Sequence, residues 1–249
     1  MARSIYIASP NAGTGKSTVA LGLVSCLTKV VAKVGVFRPF VESREGDAFL
    51  SLLLNRAGST TPPEQCVGAT WDEFHADPEE ALARIVDAYR AMAREHDVVI
   101  IDGSDFTDVA GNPELALNAR VAANIGVPVL LVVSGQNDVE DVVASVEVSM
   151  AEIADNHART VAVVANKCLP ETRQAVGEAL TAIEGITSTT LPEVPLLAAP
   201  VVREVLDAVE GTLIAGDETL LDREAESVLV CAMDVSHVLE RLTAGQLAI

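Results

Sequence analysis

The sequence predicts an α/β protein with a doubly wound, mainly parallel sheet and a small α/β unit at its C-terminal end. Short runs rich in valine and isoleucine alternate with longer segments of helical periodicity, which is the pattern of repeated βαβ units. Hydrophobic residues make up 49% of the 249 residues, but aromatic residues only 3%. A core of mostly aliphatic side chains suits a parallel sheet that helices cover on both faces, and it disfavours sandwiches and barrels.

The strands are predicted from short apolar runs, and the helices from their periodicity and their caps. Asp77 offers an oxygen acceptor at an N-cap, Pro78 stands in the first turn and Glu80 can close a capping box. Asn112-Pro113-Glu114 repeats the start of this signal. The predicted strands cover residues 4–8, 34–37, 98–102, 127–133, 160–166 and 188–191. The predicted helices, each with an apolar stripe, cover residues 16–30, 78–95, 113–124, 138–154 and 171–184.

Residues 1–198 are predicted to form the main domain, and residues 199–249 a separate small α/β unit. The apolar pattern weakens over 42–73, where a short helix at 47–54 is predicted within a connection over the edge of the sheet. The small unit is predicted to contain two helices and two short strands, at 201–209, 235–242, 212–214 and 228–231. Because its last residues, 246–249, are apolar and strand-like, the unit is expected to continue in a longer parent protein.

Charge and cysteine usage exclude several classes of function. The chain has 17 basic and 36 acidic residues and a net charge of −19. Such a field repels nucleic acid and anionic lipid, so neither is expected as a partner. The four cysteines lie far apart without C-x-x-C spacing, which indicates neither a zinc site nor a disulfide framework. No apolar run is long enough for a signal peptide or a membrane span, and a cytoplasmic location is expected.

A glycine-containing loop follows the first predicted strand. Residues 9–18 read Ser-Pro-Asn-Ala-Gly-Thr-Gly-Lys-Ser-Thr and lead directly into a predicted helix, which is the context of a phosphate-binding P-loop. Gly13 and Gly15 let consecutive amides curl round a phosphate without Cβ clashes. Lys16 can span the β and γ phosphates, and the hydroxyl of Ser17 can reach the bridging magnesium ion. The sequence therefore predicts a P-loop NTPase-like fold that binds ATP with Mg²⁺.

One position departs from the usual P-loop pattern. Pro10 stands where the pattern has glycine, which removes one flexible point and one N–H donor. A degenerate loop that only caps the following helix is therefore the alternative. The loop residues predicted to contact the nucleotide are Asn11, Gly13, Thr14, Gly15, Lys16, Ser17 and Thr18.

Two later strands end in polar residues that point to the same edge of the sheet. Asp102 follows a buried apolar run and is predicted to reach magnesium, while Gly103 could offer its N–H to the γ-phosphate. The alternative is a strand-terminal Asp-Gly turn. Asn166 ends another strand and is predicted to contact the adenine edge, although it could equally cap a turn. Guanine recognition uses Asn-Lys-x-Asp, and Leu169 at the fourth position favours ATP over GTP.

Several of these segments together resemble dethiobiotin synthetase and its relatives over residues 3–198. They are 8–18, Phe37-Arg38-Pro39, 45–48, Ile101-Asp102-Gly103 and Ala165-Asn166. The resemblance implies three metal ligands, Ser17, Asp47 and Asp102, the last being a glutamate in the synthetases. It also places Arg38 at a nucleotide-contacting position where the synthetases have a lysine. Arginine keeps the charge but lacks the compact ammonium.

The tail adds a second resemblance. With the segments 199–204, 231–233 and 239–242, the whole chain is similar to the N-terminal half of long-form bacterial phosphate acetyltransferases. In that family a synthetase-like P-loop domain precedes a small regulatory domain and then the acetyl-transferring domain. The resemblance implies a nucleotide-binding regulatory and assembly region whose partner is the transferase domain, and a homo-oligomer is expected.

Two other functions are alternatives to this hypothesis. One is an ATP-dependent ring-closing ligase that phosphorylates a carbamate held between Lys16, Arg38 and the metal, which the arginine disfavours. The other is a partitioning-type ATPase, whose additional loop lysine should lie near Asn11 or Ala12 and is missing.

Overall fold

The computed structural model describes residues 3–104, 114–197 and 199–249. The chain divides into two compact units, Met1–Glu193 and Val194–Ile249. The sequence predicts this division after residue 198, which lies outside the described residues. The predicted start of a helix at 112–113 also lies outside them.

The first unit is built on a sheet of seven strands within the described residues, and all its strand pairs are parallel. The strands are β1 (Arg3–Ala8), β2 (Val34–Val41), β3 (Val67–Thr70), β4 (Val98–Asp102), β5 (Val129–Ser134), β6 (Thr160–Cys168) and β7 (Thr187–Pro192). Their order across the sheet is β3-β2-β4-β1-β5-β6-β7. This confirms the predicted α/β class with a parallel sheet.

The helices of this unit connect the strands and bury an apolar stripe against the sheet. They are α1 (Lys16–Leu27), α2 (Ala48–Ala57), α3 (Trp71–Ala76), α4 (Pro78–Glu95), α5 (Glu114–Ile125), α6 (Val139–Asp155) and α7 (Arg173–Thr181). At the predicted cap of α4, the side chain of Asp77 accepts a hydrogen bond from the Glu80 N–H at 3.1 Å. Within the described ranges, none of the helices is both long enough and apolar enough to cross a membrane.

Aliphatic side chains fill the core on both faces of the central strands. Ile100 of β4 and Val129 of β5 have no exposed surface. Alternate residues of a strand face opposite sides of the sheet, so a strand that is apolar throughout needs helices on both sides. The carboxyl ends of β1, β2 and β4 meet at one edge of the sheet, and this edge positions the polar residues described below.

Strand β2 is longer than the predicted 34–37 and runs through Pro39 to Val41. Its pairing with β4 ends at Phe37, and its pairing with β3 begins at Arg38. Pro39 therefore lies past the last residue paired with β4, where a missing N–H removes no bond to that strand.

The sequence does not predict strand β3 or helix α3, because the weak apolar pattern of residues 42–73 indicates a connection. β3 has only four residues, and one of them is Gly68. A Cβ on Gly68 would lie 2.5 Å from both Ile85 Cγ1 and the Pro39 carbonyl oxygen, so glycine is required for α4 to pack on this edge. Glycine lowers the strand signal in a sequence, which explains the omission.

The second unit contains α8 (Val202–Ala208), β8 (Ser227–Leu229), α9 (Val235–Arg241) and β9 (Gln246–Ala248). β8 and β9 pair in parallel, with Val228 opposite Leu247. The strand predicted at 212–214 is wrong: the structure has no strand there, and Ile214 is 96% exposed. Gly211 and Gly216 flank this segment and disfavour a strand. A run of three apolar residues also gains little burial when no neighbouring strand pairs with it.

Candidate nucleotide site

The loop between β1 and α1 has the backbone expected of a phosphate cradle. Gly13 and Gly15 have φ angles of 76° and 80°, in the left-handed region that favours glycine. Gly15 directly precedes α1 as its N-cap residue, so the first amides of the helix lie beside the loop. Among the other loop residues predicted to bind, Thr14 is buried, Ser17 half-buried, and Asn11 and Thr18 exposed.

Lys16 is the first residue of α1, and its side chain reaches the carboxyl end of β4. Only 1% of the residue's surface is exposed. Its Nζ donates to Asp102 Oδ1 at 2.7 Å and to the carbonyl oxygen of Gly103 at 2.5 Å. β1 and β4 are neighbours in the sheet, which brings together two motifs that are 86 residues apart in sequence. The structure therefore places the loop lysine directly against the acid predicted to reach magnesium.

Arg38 joins both acids predicted as metal ligands. Its Nη1 donates to Asp47 Oδ2, and its Nε lies 3.4 Å from Asp102 Oδ2. The other oxygen of Asp47 caps α2 by accepting from the Leu50 N–H at 2.8 Å. Two cations and two carboxylates thus alternate in the order Lys16, Asp102, Arg38, Asp47, with no net charge among them.

The residues present fit a hard divalent cation. Asp102 has no exposed surface, and its Oδ2 has no hydrogen-bond partner. This oxygen has the Arg38 guanidinium 3.4 Å away but accepts no hydrogen bond, which is uncommon for a buried carboxylate oxygen, and a metal cation would satisfy it. Nowhere in the described ranges do three or more His, Cys, Asp or Glu residues form a metal-holding group. Mg²⁺ typically uses one or two carboxylates with phosphate oxygens and water, so Asp102, Asp47 and the Ser17 hydroxyl would suffice.

Asn166 and Lys167, at the end of β6, hold the loop from the other side. Asn166 Nδ2 donates to the Thr14 carbonyl oxygen, and Lys167 Nζ to the Gly13 carbonyl oxygen, both at 2.8 Å. A Cβ on Gly15 would lie 2.3 Å from Asn166 Nδ2. The contact of Asn166 with the adenine edge stays a prediction. The role of Lys167 was missed, although the Asn-Lys pair at the end of an apolar strand was a signal for it.

Gly103 requires a correction. Its N–H donates to the Ile7 carbonyl oxygen at 2.9 Å, so the predicted donation to a γ-phosphate does not fit this structure. A Cβ at this position would lie 2.6 Å from Asn118 Oδ1 and 2.7 Å from the Ile7 oxygen. Glycine is therefore needed here for close packing, and its carbonyl oxygen rather than its N–H faces Lys16.

Asn118 of α5 fixes the end of β4 and was also missed. Fully buried, it accepts at Oδ1 from the Tyr6 hydroxyl at 2.7 Å and from the Ser104 N–H at 3.0 Å. Its Nδ2 donates to the carbonyl oxygens of Ser104 and Glu114. Burial, reinforced by the charges of Asp102 and Glu114, raises the pKa of Tyr6 well above its usual value, so its hydroxyl stays a donor. A lone asparagine within a helix gives no sequence signal for this role.

Comparisons with known proteins agree with this architecture. A family model described as an AAA domain matches residues 3–206. Phosphate acetyltransferases of Nitratidesulfovibrio vulgaris and a Synechocystis species are each 24% identical over 100% and 97% of this chain, which confirms the resemblance predicted from the sequence. The chain spans only 37% and 36% of their lengths. The cell division protein MinD of Aquifex aeolicus has a similar fold, with a TM-score of 0.52 and 17% identity over 79% of this chain and 84% of MinD.

Proposed function

The chain belongs to the AAA domain family, and from this premise we propose that it binds ATP with magnesium as a regulatory, assembly-promoting region of a longer phosphate acetyltransferase. The observation that carries the nucleotide proposal is the contact of Lys16 with Asp102 beside a loop with left-handed glycines. A buried ammonium is expensive to keep even when it is paired, which favours a binding role for Lys16 in addition to its contact with Asp102.

Each residue of the site has a distinct task in this proposal. The amides that follow Gly13 and Gly15 donate to phosphate oxygens, and Lys16 moves its ammonium from Asp102 to the phosphates. Asp102 and Asp47 then become available to the magnesium ion, with Ser17 as a third ligand. The ion neutralises phosphate charge when bound. Asn166 and Lys167 keep the loop in position through its carbonyl oxygens.

The parent activity is the interconversion of acetyl-CoA and phosphate with acetyl phosphate and CoA. This part of the proposal rests on relatives of which the chain spans little more than a third. The present chain would not transfer acetyl groups by itself. Its partners would be the acetyl-transferring domain of the parent and further copies of the chain.

Thermal unfolding with and without Mg·ATP tests the nucleotide proposal. A ligand at 100 times its dissociation constant adds about 2.7 kcal/mol to the free energy of unfolding. We expect this gain for the wild-type chain and for the control Lys29→Ala, which removes an exposed lysine of the α1–β2 connection. We expect none for Lys16→Ala. Equal stabilisation of Lys16→Ala and wild type would reject the proposal, whereas dethiobiotin formation from diaminopelargonic acid, carbon dioxide and ATP would establish the ligase instead.

A further inference from the structure

We propose that β7 is a docking surface for a second copy of this chain, and that the β7 strands of the two copies pair antiparallel across a two-fold axis. β7 is the last strand of the sheet, and β6 is its one neighbour within the described residues. Such an edge strand presents a row of unpaired N–H and C=O groups that can pair with another strand. The inference rests on the proposed function only in taking a further copy of the chain as the partner.

The two edges of the sheet differ in how well they are protected. β3 has only four residues, Arg44 Nη2 donates to the Gly68 carbonyl oxygen at 3.3 Å, and α4 packs closely over this glycine. β7 has six residues, Thr-Ser-Thr-Thr-Leu-Pro, and none is charged. Short length, charged side chains and a covering element are the usual protections of an edge strand against pairing. β3 has two of these protections, whereas β7 is long enough to pair and carries no charge.

An open groove of about 730 Å³ lies between this edge and α7. Its walls include residues 188–190 of β7 and, at intervals of four residues on one face of α7, Arg173, Gly177 and Thr181. Arg173 reaches over the strand and donates to Thr190 Oγ1 at 3.3 Å and to the Thr190 carbonyl oxygen at 3.5 Å. Both bonds are long and exposed, so a strand that entered the groove would displace this side chain at little cost.

The residues of β7 are complementary to a second copy of themselves. A two-fold axis perpendicular to the sheet leaves each side chain on its own face, so residues of the same face stand opposite each other. An axis through Thr189 sets this residue opposite its own copy, Ser188 opposite Thr190, and Thr187 opposite Leu191. Hydroxyl side chains then meet across the axis and no like charges do, which is the favourable case for a cross-strand pair.

The distribution of charge also favours this edge for self-association. Two copies with a net charge of −19 each repel, so they can approach only where acidic residues are few. Beside β7, the antiparallel helix α7 places Arg173 toward the end of the strand, at Thr190, and Glu178 toward its start. A two-fold axis exchanges these ends and brings each Arg173 to the side of the partner's Glu178, which gives a complementary pair of charges.

Sedimentation of the purified chain over a range of concentrations tests the pairing, and a concentration-dependent dimer is expected. Thr189→Lys should weaken the dimer by roughly fivefold, because two like charges then stand opposite each other at the axis. Thr189 is exposed, so the fold can accept the change. The control Ala83→Lys adds the same charge on the exposed face of α4, beside the opposite edge of the sheet, and should not weaken the dimer.

Chemical crosslinking locates the contact independently. The background is Cys26→Ser with Cys231→Ser, which removes the two thiols that are not buried. In this background, Thr189→Cys should form a covalent dimer with a short bismaleimide, because opposed residues of paired strands have Cβ atoms about 5 Å apart. Ala83→Cys is also exposed and should not form one.

Three results would overturn the proposal: a chain that stays monomeric at every concentration, equal dimerisation of wild type and Thr189→Lys, or crosslinking of Ala83→Cys as efficient as that of Thr189→Cys. Nucleotide binding, measured on the same wild-type protein, separates this proposal from the preceding one. A dimer through β7 that binds no nucleotide would reject the nucleotide proposal and support the pairing. A chain that binds Mg·ATP but stays monomeric would do the reverse.

Discussion

The ammonium of Lys16 lies 2.7 Å from Asp102 Oδ1, and neither side chain is more than 1% exposed. The pair links the first turn of α1 to the carboxyl end of β4. Each charge is buried, so each depends on the other for compensation. The nucleotide site and the stability of the fold are therefore joined at this contact.

Replacing Lys16 by methionine should destabilise the protein by about 3 kcal/mol, because it leaves the Asp102 carboxylate buried with only Arg38 nearby. Asp102→Asn should be similarly costly. The double variant should be less destabilised than the sum of the two, since it leaves neither charge uncompensated. Urea unfolding of the four proteins measures the coupling, and strictly additive effects would contradict a direct ion pair.

Gly13 and Gly15 provide a matched pair of substitutions in the loop. Gly13→Ala introduces a Cβ with nothing within 4 Å, so it should cost only the left-handed backbone, about 1–2 kcal/mol. Gly15→Ala has a similar φ, but its Cβ displaces Asn166 and breaks the hydrogen bond to Thr14, which adds about 1 kcal/mol. The free energy of unfolding, measured with a chemical denaturant, should be lower for Gly15→Ala than for Gly13→Ala. Equal stabilities would show that Asn166 does not press on the loop.

Sequence reasoning found the site residues that follow the rules of strand ends and loops. Lys16 was found because a lysine opening a helix after a glycine loop has a known role, and Asp102 because a carboxylate after a buried strand reaches the same sheet edge. Asn118 could not be found in this way. Its partners Tyr6 and Ser104 lie on other elements, so its role follows from tertiary packing alone.

The fold was predictable where hydrophobic patterns were long, and it was missed where they were short. β4 and β5 read clearly because helices cover both their faces, whereas β3 has four residues and includes Gly68. The bonds of Arg38 to two acids also escaped prediction. Its position was expected from a resemblance, but which partners it takes depends on how the loop before α2 folds back over the sheet.

Glu73 should make stability depend on pH. Its carboxylate accepts from the Thr70 N–H and pairs with Arg44 and Arg84, and the pKa is lowered by these contacts, that of Thr70 first. Because the folded pKa lies below the unfolded value of 4.5, the ionised carboxylate stabilises the folded protein at pH values above 4.5. This contribution is lost as the pH falls through the folded pKa. Glu73→Gln, which can still close the capping box, should cost about 1 kcal/mol at pH 7.

The difference in stability between Glu73→Gln and wild type should shrink as the pH falls below 4.5 and through the lowered folded pKa, because the wild-type carboxylate then takes up its proton. Unfolding midpoints in urea between pH 3 and pH 7 measure it. Glu147→Gln, on the exposed face of α6, is the control and should show no such trend. A constant difference across the range would mean that the charge of Glu73 does not contribute.

Thiol labelling tests the sheet edge that the sequence did not predict. Cys66 directly precedes β3 and is fully buried, and burial, with the charge of Glu64, raises its pKa to about 11. Only about one molecule in a thousand would carry the thiolate at pH 8, so reaction with a disulfide reagent should await opening of the structure. Cys168 is also fully buried, and burial raises its pKa. Cys26 is exposed and Cys231 half-buried, so these two should react first.

We therefore expect two thiols to react quickly at pH 8 and two only at the rate at which the protein opens. The assignment can be made with Cys26→Ser and Cys231→Ser, which should each remove one fast thiol. Helix α4 and strand β2 pack against β3 and shield this edge of the sheet. If Cys66 reacted as quickly as Cys26 in the native protein, this packing of β3 would be contradicted.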